Sequence, residues 1–277
     1  MRKVTVIIPC KNERLNIRPC IESARLLADE IIVADSGSTD ETLAIVRQMG
    51  GCKIIQREYL HYGDFNNWAI PQAKHEWVFI LDADERITAE LAQEVREALN
   101  GESVCDLYWV WRDNYFLGHL IHHSGWGSGK IIRLFRRDQG RYLGVTDHAG
   151  VYLCGGVAGR LESRLKHYTF WTYDQYLRKL DRYSRGQAAV WHRHGRKPSL
   201  LRLVLTGPFR FLRSYILQFG FLDGAAGFQV CMLHGIYSFL KQARLWELQH
   251  GLQQSDLEEV PVRRPVPGAR PAPKAAA

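Results

Sequence analysis

Two aspartates separated by one residue stand directly after a run of apolar residues. Residues 77–81 (WVFIL) are all apolar, which is typical of a strand buried on both faces. Asp82, Ala83 and Asp84 follow at once. Carboxylates at the C-terminal end of a buried strand lie where open α/β sheets bind ligands, and their oxygens suit Mg²⁺ or Mn²⁺ that also contacts a phosphate. A solvated acidic turn is the alternative for so short a pattern.

A third carboxylate, Asp35, has the same kind of position. It follows the apolar residues 31–34 (IIVA) and precedes the flexible turn 36–38 (SGS). Because parallel strands end at one edge of a sheet, we expect Asp35 to share a rim with Asp82 and Asp84. The turn would add free backbone amides to that rim. The alternative is that these residues only cap the following helix.

The elements that position these carboxylates alternate between strand and helix. Ser38 and Glu41 have the spacing of a capping box, which predicts that a helix begins near Asp40. Strands and helices alternating at this length predict right-handed βαβ units, a mostly parallel sheet and an α/β fold. The pattern predicts strands at 4–8, 30–34, 53–56 and 77–81 and helices at 16–27, 40–49 and 65–74.

The segments VTVIIPCKNE, EIIVADSGSTDET and NWAI…WVFILDADE resemble, in this order, the nucleotide-binding half of a family 2 glycosyltransferase over residues 4–86. The resemblance implies the GT-A fold, a Rossmann-like sheet flanked by helices, and a UDP-sugar donor. It assigns two roles to Asp84, contact with the nucleotide-sugar and ligation of the metal ion that binds the diphosphate. The resemblance places Asn67 close to the nucleotide; the alternative is that its amide only lies on the surface of a helix. The residues that the resemblance assigns to the nucleotide-sugar are Pro9, Glu13, Asp35, Ser36, Asn67, Asp82, Ala83 and Asp84.

The catalytic base is less clearly marked. Inverting glycosyl transfer needs a group that takes the proton of the attacking acceptor hydroxyl. Asp147 is the first candidate and His148 the second. Related sequences usually carry His followed by Glu near this point, whereas Ala149 follows His148 here, so the assignment stays open between the two. His167 resembles the late histidine that completes the metal site in this family; a packed core histidine is the alternative.

Other groups with chemical potential have simpler explanations. His119, His122 and His123 lie in a Gly-rich loop without the spacing of a metal site. Arg133 and Arg136 belong to a strand predicted over 130–137, where they either neutralise an anion or lie at a solvated strand edge.

The C-terminal third is predicted to be helical. A helix is indicated over 173–194, and residues 199–217 interleave apolar side chains with Arg202, Arg210 and Arg213, as in a helix that lies in a membrane interface. A helix packed on the catalytic domain is the alternative. Residues 211–248 resemble the extension of the lipopolysaccharide-core β-1,4-glucosyltransferases, which implies a glycan or lipid-linked acceptor and an anionic membrane surface.

Sequence composition and the motifs above predict how the chain divides into domains and where the protein is located. The predicted organisation is a GT-A catalytic domain at 1–170 (nucleotide-sugar half 1–100, acceptor half 101–170), a helical, membrane-associating extension at 171–252 and a disordered Pro/Ala-rich tail at 253–277. Six cysteines without CxxC pairing and no signal-peptide pattern lead us to expect a cytoplasmic protein, peripheral on the inner face of the cytoplasmic membrane.

Three other classes of protein share some of these features. A haloacid-dehalogenase-like phosphotransferase is excluded because its Asp-x-Asp follows the first strand and needs Thr or Val where Arg86 stands. The net charge of +8 is compatible with a nucleic-acid-binding protein. No motif supports that class, and an acidic rim repels phosphate when no metal is bound. A glycosyltransferase-like binding module with lost or altered catalysis remains the alternative.

Overall fold

The computed structural model describes residues 2–101, 105–127, 129–143, 150–153 and 156–251. The N-terminal elements follow the predicted alternation, with parallel strands in the order β3-β2-β1-β4. All four residues of β4 are buried, as the apolar run requires. The elements are β1 Val4–Cys10, α1 Ile17–Ala24, β2 Glu30–Asp35, α2 Thr42–Met49, β3 Lys53–Gln56, α3 Tyr62–Ala69 and β4 Trp77–Ile80.

The second half of the sheet is mixed, so a mostly parallel sheet is correct only for the first four strands. After β4 the sheet continues through β8, β6, β11 and β5; only β6 and β11 are parallel. A two-stranded hairpin of β9 and β10 lies beside it. The elements are β5 Glu85–Arg86, α4 Ala89–Asn100, β6 Leu107–Phe116, β7 His119–Ile121, β8 Gly129–Arg136, β9 Gly140–Leu143, β10 Gly150–Leu153 and β11 Ala158–Phe170.

The two faces of the sheet bury separate apolar clusters. One face packs on α1, α2 and α4 through residues such as Ile21, Val46 and Val95. The other packs on α3 and the β9–β10 hairpin through Phe65 and Tyr142. Helices on both faces leave the C-terminal ends of the central strands as the open rim, which is where ligands bind in such sheets.

The loop before α2 differs from the predicted capping box. The helix begins at Thr42, and it is the Asp40 carboxylate that accepts a hydrogen bond from the Thr42 backbone amide (3.0 Å). Ser38 instead accepts from the backbone amide of Asn12 (2.9 Å). The Ser38–Glu41 capping box is therefore wrong, because Ser38 ties the β2–α2 loop to the β1–α1 loop.

Three helices form the C-terminal part: α5 Tyr173–Arg193, α6 Leu200–Leu212 and α7 Gly224–His250. Helices α6 and α7 approach closely where a Cβ on Gly235 would lie 3.0 Å from the Gly207 carbonyl oxygen. A π-helical turn (213–217) and a 3₁₀ turn (220–223) join them. The predicted tail at 253–277 lies outside the described residues.

The joint between α6 and α7 is attached to the sheet by a buried carboxylate. Asp223 accepts hydrogen bonds from the backbone amides of His122 (3.1 Å) and His123 (2.8 Å), and its carboxylate lies 2.9 Å from Nδ1 of His123. His123 thus has a structural carboxylate partner, and His119 begins strand β7 instead of lying in a loop.

Candidate active site

A cleft of about 1120 Å³ opens at the rim where β1 and β4 end. Strands β6, β8 and β11, helices α3 and α5 and the β9–β10 hairpin also line it. The structure brings together seven of the residues predicted to bind donor or metal. They are Pro9, Glu13, Ser36, Asp82, Ala83, Asp84 and His167.

Asp84 and His167 meet because β5 pairs with β11. In this antiparallel pairing His167 lies opposite Glu85, and the Tyr168 amide donates to the Asp84 carbonyl (2.8 Å). His167 Nε2 lies 3.4 Å from Asp84 Oδ2. Two residues 83 positions apart in the chain thus share one point in the cleft.

The orientation of the His167 ring is set by Asn114, which sequence reasoning missed. The Asn114 amide donates its NH₂ to the Trp126 carbonyl, which leaves its oxygen facing His167 Nδ1 at 2.7 Å. Nδ1 is therefore directed at the Asn114 oxygen, and Nε2 is directed at the Asp84 carboxylate. A polar residue within the aromatic strand β6 was the available signal.

The charge state of Asp84 suits a cation ligand. Burial raises the pKa of this carboxyl, but the adjacent His167 and the more distant Lys179 and Arg133 outweigh burial and lower the pKa well below its usual range. Asp84 is therefore ionised throughout the physiological pH range.

The donor set fits a divalent metal whose other ligands come from a substrate. A carboxylate oxygen and an imidazole nitrogen lie 3.4 Å apart in the cleft, so the two side chains are close enough to ligate one cation. Carboxylate and imidazole both suit Mn²⁺. Within the part of the chain that the structure describes, no group of three or more His, Cys, Asp or Glu side chains is arranged to hold a metal ion. Asp84 and His167 would need diphosphate oxygens or water to complete the shell.

Asp82 is held by two partners from opposite sides. The Tyr62 hydroxyl donates to its Oδ1 (2.9 Å), and Arg133 donates to its Oδ2. Arg133 also donates to the Tyr62 hydroxyl (3.1 Å), so the three groups form a closed set. The Asp82 carboxylate is thereby fixed in orientation and paired with a cation.

Arg133 is not at a solvated strand edge. Its side chain is completely buried and pairs with Glu85, also completely buried, at 2.6 Å. Glu85 in turn accepts from the backbone amide of Asp82 (3.2 Å). Arg136 lies at the other end of β8, paired with Glu76 and Asp106, away from the cleft. The alternative of a solvated edge is therefore wrong for Arg133, because it lies within the buried part of β8, where the register against β6 shifts, and its charge is enclosed by Asp82 and Glu85.

Glu13 lies beside the same rim. Asn16 donates to its Oε2 (2.9 Å), and the Asn16 oxygen accepts from Arg86 (3.0 Å) and from the Trp171 indole (2.8 Å). Burial raises the pKa of Glu13 to about 7, with the Asp84 charge adding to this and Asn16 opposing it. The Glu13 carboxyl therefore changes protonation near neutral pH.

Asp35 lies beneath the cleft floor. It is fully buried and accepts from the amides of Gly37 (3.1 Å) and Ser38 (3.1 Å) and from Gln56 (3.1 Å). Burial raises its pKa, but these hydrogen bonds outweigh burial and lower it. Ser36 lines the cleft, although its hydroxyl donates to the Cys10 carbonyl (3.2 Å). Contact of Asp35 with a nucleotide stays a prediction.

Asn67 is not brought to the cleft. Its amide donates to the Tyr142 carbonyl and accepts from the Tyr142 backbone amide, both at 2.9 Å. The side chain thus holds β9 against α3, and its polar groups are used in doing so. Asp147 and His148 lie outside the described residues, so the base assignment stays a prediction.

The helix α5 contributes residues to the cleft that sequence reasoning did not assign to it. Lys179 and Arg182 line the wall opposite β4, beside Tyr183. From the strands, Arg112 and Lys130 line the cleft as well. The signal for the α5 residues was present in the basic helical pattern, but its facing direction could not be read without the tertiary structure.

The chain belongs to the glycosyltransferase family 2, "Glycosyl transferase family 2", whose family model matches residues 5–163, more than half of its length. This confirms the family suggested by the motifs around Asp35 and Asp82, and with it the GT-A α/β fold class with C-terminal helices. The protein is therefore a glycosyltransferase by family and architecture.

Two relatives match nearly the whole chain. The lipopolysaccharide core biosynthesis glycosyltransferase LpsC of Rhizobium meliloti (strain 1021) is 29% identical over 255 residues, covering 90% of this chain and 94% of the relative. An uncharacterized glycosyltransferase of Rickettsia bellii (strain RML369-C) is 28% identical, covering 89% of this chain and 87% of the relative.

Solved structures give partial likenesses. S. aureus TarS 1-349 in complex with UDP-GlcNAc has a TM-score of 0.47 at 16% identity, covering 90% of this chain and 92% of the other. Glucosyl-3-phosphoglycerate synthase from Mycobacterium tuberculosis, in complex with Mn²⁺, UDP and phosphoglyceric acid, has a TM-score of 0.34 at 25% identity, covering 41% and 43%.

Replacing the buried cation tests the set behind Asp82. Arg133→Met should lower the free energy of unfolding by about 3–5 kcal/mol, because it leaves the Glu85 charge buried without a partner. Adding Glu85→Gln should recover part of this loss. Urea denaturation of the two single variants and the double variant measures both effects. Arg47→Met, on the exposed side of α2, is the charge control; an Arg133→Met loss no larger than that of the control would contradict the buried pair.

The raised pKa of Glu13 predicts a pH-dependent stability. A carboxyl whose folded-state pKa is raised favours the protonated form, so its stability contribution is complete below the unfolded value of 4.5 and is lost as the pH rises through about 7. Glu13→Gln should remove this loss of stability. The melting temperature of the variant minus that of the wild type should therefore increase as the pH rises from 4.5 to about 7. Glu22→Gln, exposed on α1, should show no such gain. A constant difference for Glu13→Gln would contradict the shift.

Proposed function

We propose that the protein is a metal-dependent inverting glycosyltransferase that moves a hexose, with glucose the first choice, from a UDP-sugar to a lipopolysaccharide-core or other cell-envelope glycan or lipid-linked acceptor. The single observation that carries this proposal is the meeting of Asp84 with His167 beside Asp82 in one cleft. The resemblance over residues 4–86 supports the uridine nucleotide. The near full-length similarity to a lipopolysaccharide core biosynthesis glycosyltransferase supports the acceptor class.

The cleft residues divide the donor between them. Asp82 is already paired with Arg133, so it serves better as a hydrogen-bond acceptor for ribose hydroxyls than as a metal ligand. Asp84 and His167 would hold Mg²⁺ or Mn²⁺. The bound metal would supply positive charge to the leaving diphosphate. Pro9, Ala83 and Ser36 line the floor against which the nucleotide would lie.

The chain's own residues then act on the acceptor. A base takes the proton from the acceptor hydroxyl as its oxygen attacks the anomeric carbon and the bond to the UDP oxygen breaks. We propose Asp147 for this step, with His148 as the second candidate. Glu13, the third carboxylate at the rim, would be partly protonated at neutral pH and so adds little repulsion to a bound diphosphate.

The C-terminal helices support a peripheral position on the inner face of the cytoplasmic membrane. No described helix is by itself long and apolar enough to cross a membrane; α6 and α7 pass that test only as a pair bent by 76°. These helices and the turns between them expose many large apolar side chains, which together we call the apolar helical face; exposed apolar patches of this kind mark interaction surfaces. Its exposed residues are Leu200, Leu201, Val204, Leu205, Phe209, Leu212, Ile216, Leu217, Phe219, Phe221, Leu222, Phe228, Met232, Ile236 and Phe239.

Cations lie along the same helix, which fits a surface of anionic lipid. Arg202 and Arg213 are exposed on and just after α6, and Arg210 is half-buried. An apolar face flanked by arginines is the composition of helices that lie in the headgroup region. Anionic lipid is therefore the proposed partner of the apolar helical face.

Removing one metal ligand tests the donor site. Asp84→Asn should abolish the Mn²⁺-dependent part of UDP binding in calorimetric titration, because the amide cannot supply an ionised oxygen. Asp113→Asn, on β6 and outside the cleft lining, is the charge control. Equal UDP affinity of wild type and Asp84→Asn with Mn²⁺ present would sink the metal role. No binding of any nucleotide-sugar by the wild type would favour a protein with lost catalysis.

Charges placed on the apolar helical face test the membrane contact. Leu217 and Leu222 are 70% and 60% exposed, so Leu217→Glu with Leu222→Glu should leave the fold intact. Burial of each leucine in lipid is worth roughly 1.5–3 kcal/mol, so flotation with phosphatidylglycerol vesicles should weaken about tenfold or more. Leu26→Glu, 48% exposed on the nucleotide half, is the control. Unchanged flotation would refute the contact, and a loss of dimers instead would identify the face as a self-association surface.

A further inference from the structure

Two cations of helix α5 face the catalytic cleft without a carboxylate partner. Lys179 and Arg182 are three residues apart, so they project from the same side of the helix, and both line the cleft that contains Asp82 and Asp84. In the described part of the chain, neither forms an ion pair within 4 Å. The outward Arg185 of the same helix, by contrast, pairs with Asp181 at 3.0 Å.

Aromatic rings hold the two cations in place. The Lys179 ammonium lies 5.0 Å from the centre of the Phe170 ring, and the Arg182 guanidinium lies 5.1 Å from that of Tyr183. Such contacts orient a cation but leave its hydrogen-bond donors largely free. The two side chains are thus positioned with donors that remain available to an anion.

The carboxylates of the cleft leave the donors of these two cations unoccupied. Asp82 is paired with Arg133. Asp84 and Glu13 attract Lys179 without forming an ion pair with it. Lys11 and Lys130 add two more cations to the lining. A cleft that carries more cations than free carboxylates attracts a multiply charged anion, and focuses its field on the wall where the cations lie.

We propose that Lys179 and Arg182 form an anion subsite that binds a phosphate group of a substrate. The inference rests on the proposed function, in which the phosphate belongs either to the diphosphate of the UDP-sugar or to an anionic acceptor. Both sources offer the same chemistry, a tetrahedral anion accepting charge-assisted hydrogen bonds from an ammonium and a guanidinium. Helix α5 is thereby part of the substrate site rather than only a connection to the membrane-facing helices.

The test measures ligand binding to wild type, to Lys179→Met, to Arg182→Met and to the double variant, with one further variant as the control. Methionine keeps an apolar stem over the rings, so the fold is preserved, as equal melting temperatures would verify. Arg178→Met, exposed on the same helix and outside the cleft lining, removes one charge as the control. Calorimetric titrations with Mg²⁺ in excess use uridine and UDP in the first arm. Inorganic phosphate, added to UDP-loaded and to nucleotide-free protein, is the probe of the second arm.

The two arms separate the two sources. If the donor diphosphate is bound, the double variant should bind UDP about tenfold or more weakly, with uridine affinity unchanged. If an acceptor anion is bound, UDP affinity should be unchanged and phosphate binding to the UDP-loaded protein should weaken by a similar factor. Unchanged binding in both arms, or an equal loss in Arg178→Met, would overturn the subsite.

The same design separates this inference from the proposed function. If the wild type binds neither uridine nor UDP, the proposed donor fails. The phosphate titration of the nucleotide-free protein then decides the subsite alone: weaker binding by the double variant supports it, and equal or absent binding overturns it.

Discussion

A guanidinium with no access to water is the constraint on which the rim of this sheet depends. Arg133 is completely buried, and a buried cation is tolerated only when counter-charges and hydrogen-bond acceptors surround it. Glu85 and Asp82 supply the charges, and the Tyr62 hydroxyl accepts one further hydrogen bond. These three residues come from β5, from the end of β4 and from α3, so satisfying one side chain fixes three elements against β8.

The same constraint orders the site. Glu85 pairs with Arg133 from the short strand β5, and β5 lies against β11 with Glu85 opposite His167. Asp84, the residue before Glu85, is thereby placed beside His167. Asp82 and Asp84, which are separated by one residue, thus have different surroundings. The charge of Asp82 is balanced by Arg133, whereas Asp84 lies beside an imidazole nitrogen, a group that can also ligate a metal ion.

The parts that could be predicted from the sequence are those with local or motif-level signals. The apolar run ending at Asp82 and the strand ending at Asp35 indicate the parallel half of the sheet, because buried strands and helix periods are visible in short windows. The mixed half was not predicted, since antiparallel pairing of β8 with β4 depends on contacts far apart in the chain. Ser38 was misassigned for a related reason: its backbone partner Asn12 belongs to another loop.

The site residues likewise divide into those that a sequence motif marks and those that only tertiary contacts reveal. His167 carried a motif and is found beside Asp84, whereas Asn114, which orients it, has no pattern beyond being polar in an aromatic strand. Asn67 illustrates the opposite case, because a motif position can be occupied by a side chain whose hydrogen bonds go to the neighbouring strand. Lys179 and Arg182 were invisible because a basic helix has several faces, and only packing decides which one meets the cleft.

Helix α5 contacts both the cleft and the C-terminal helix α7. One side of it lines the cleft through Lys179, and another packs against α7, where Arg244 donates to Ser184 (2.9 Å) and pairs with Asp181. Helix α7 shares the apolar helical face with α6. Two packed helices therefore connect the proposed lipid contact to the cleft wall. An acceptor anchored in the same lipid would then meet a cleft wall that is built on the helix packed against this contact. The division at residue 170 stays a proposal, and the cleft takes its residues from both sides of it.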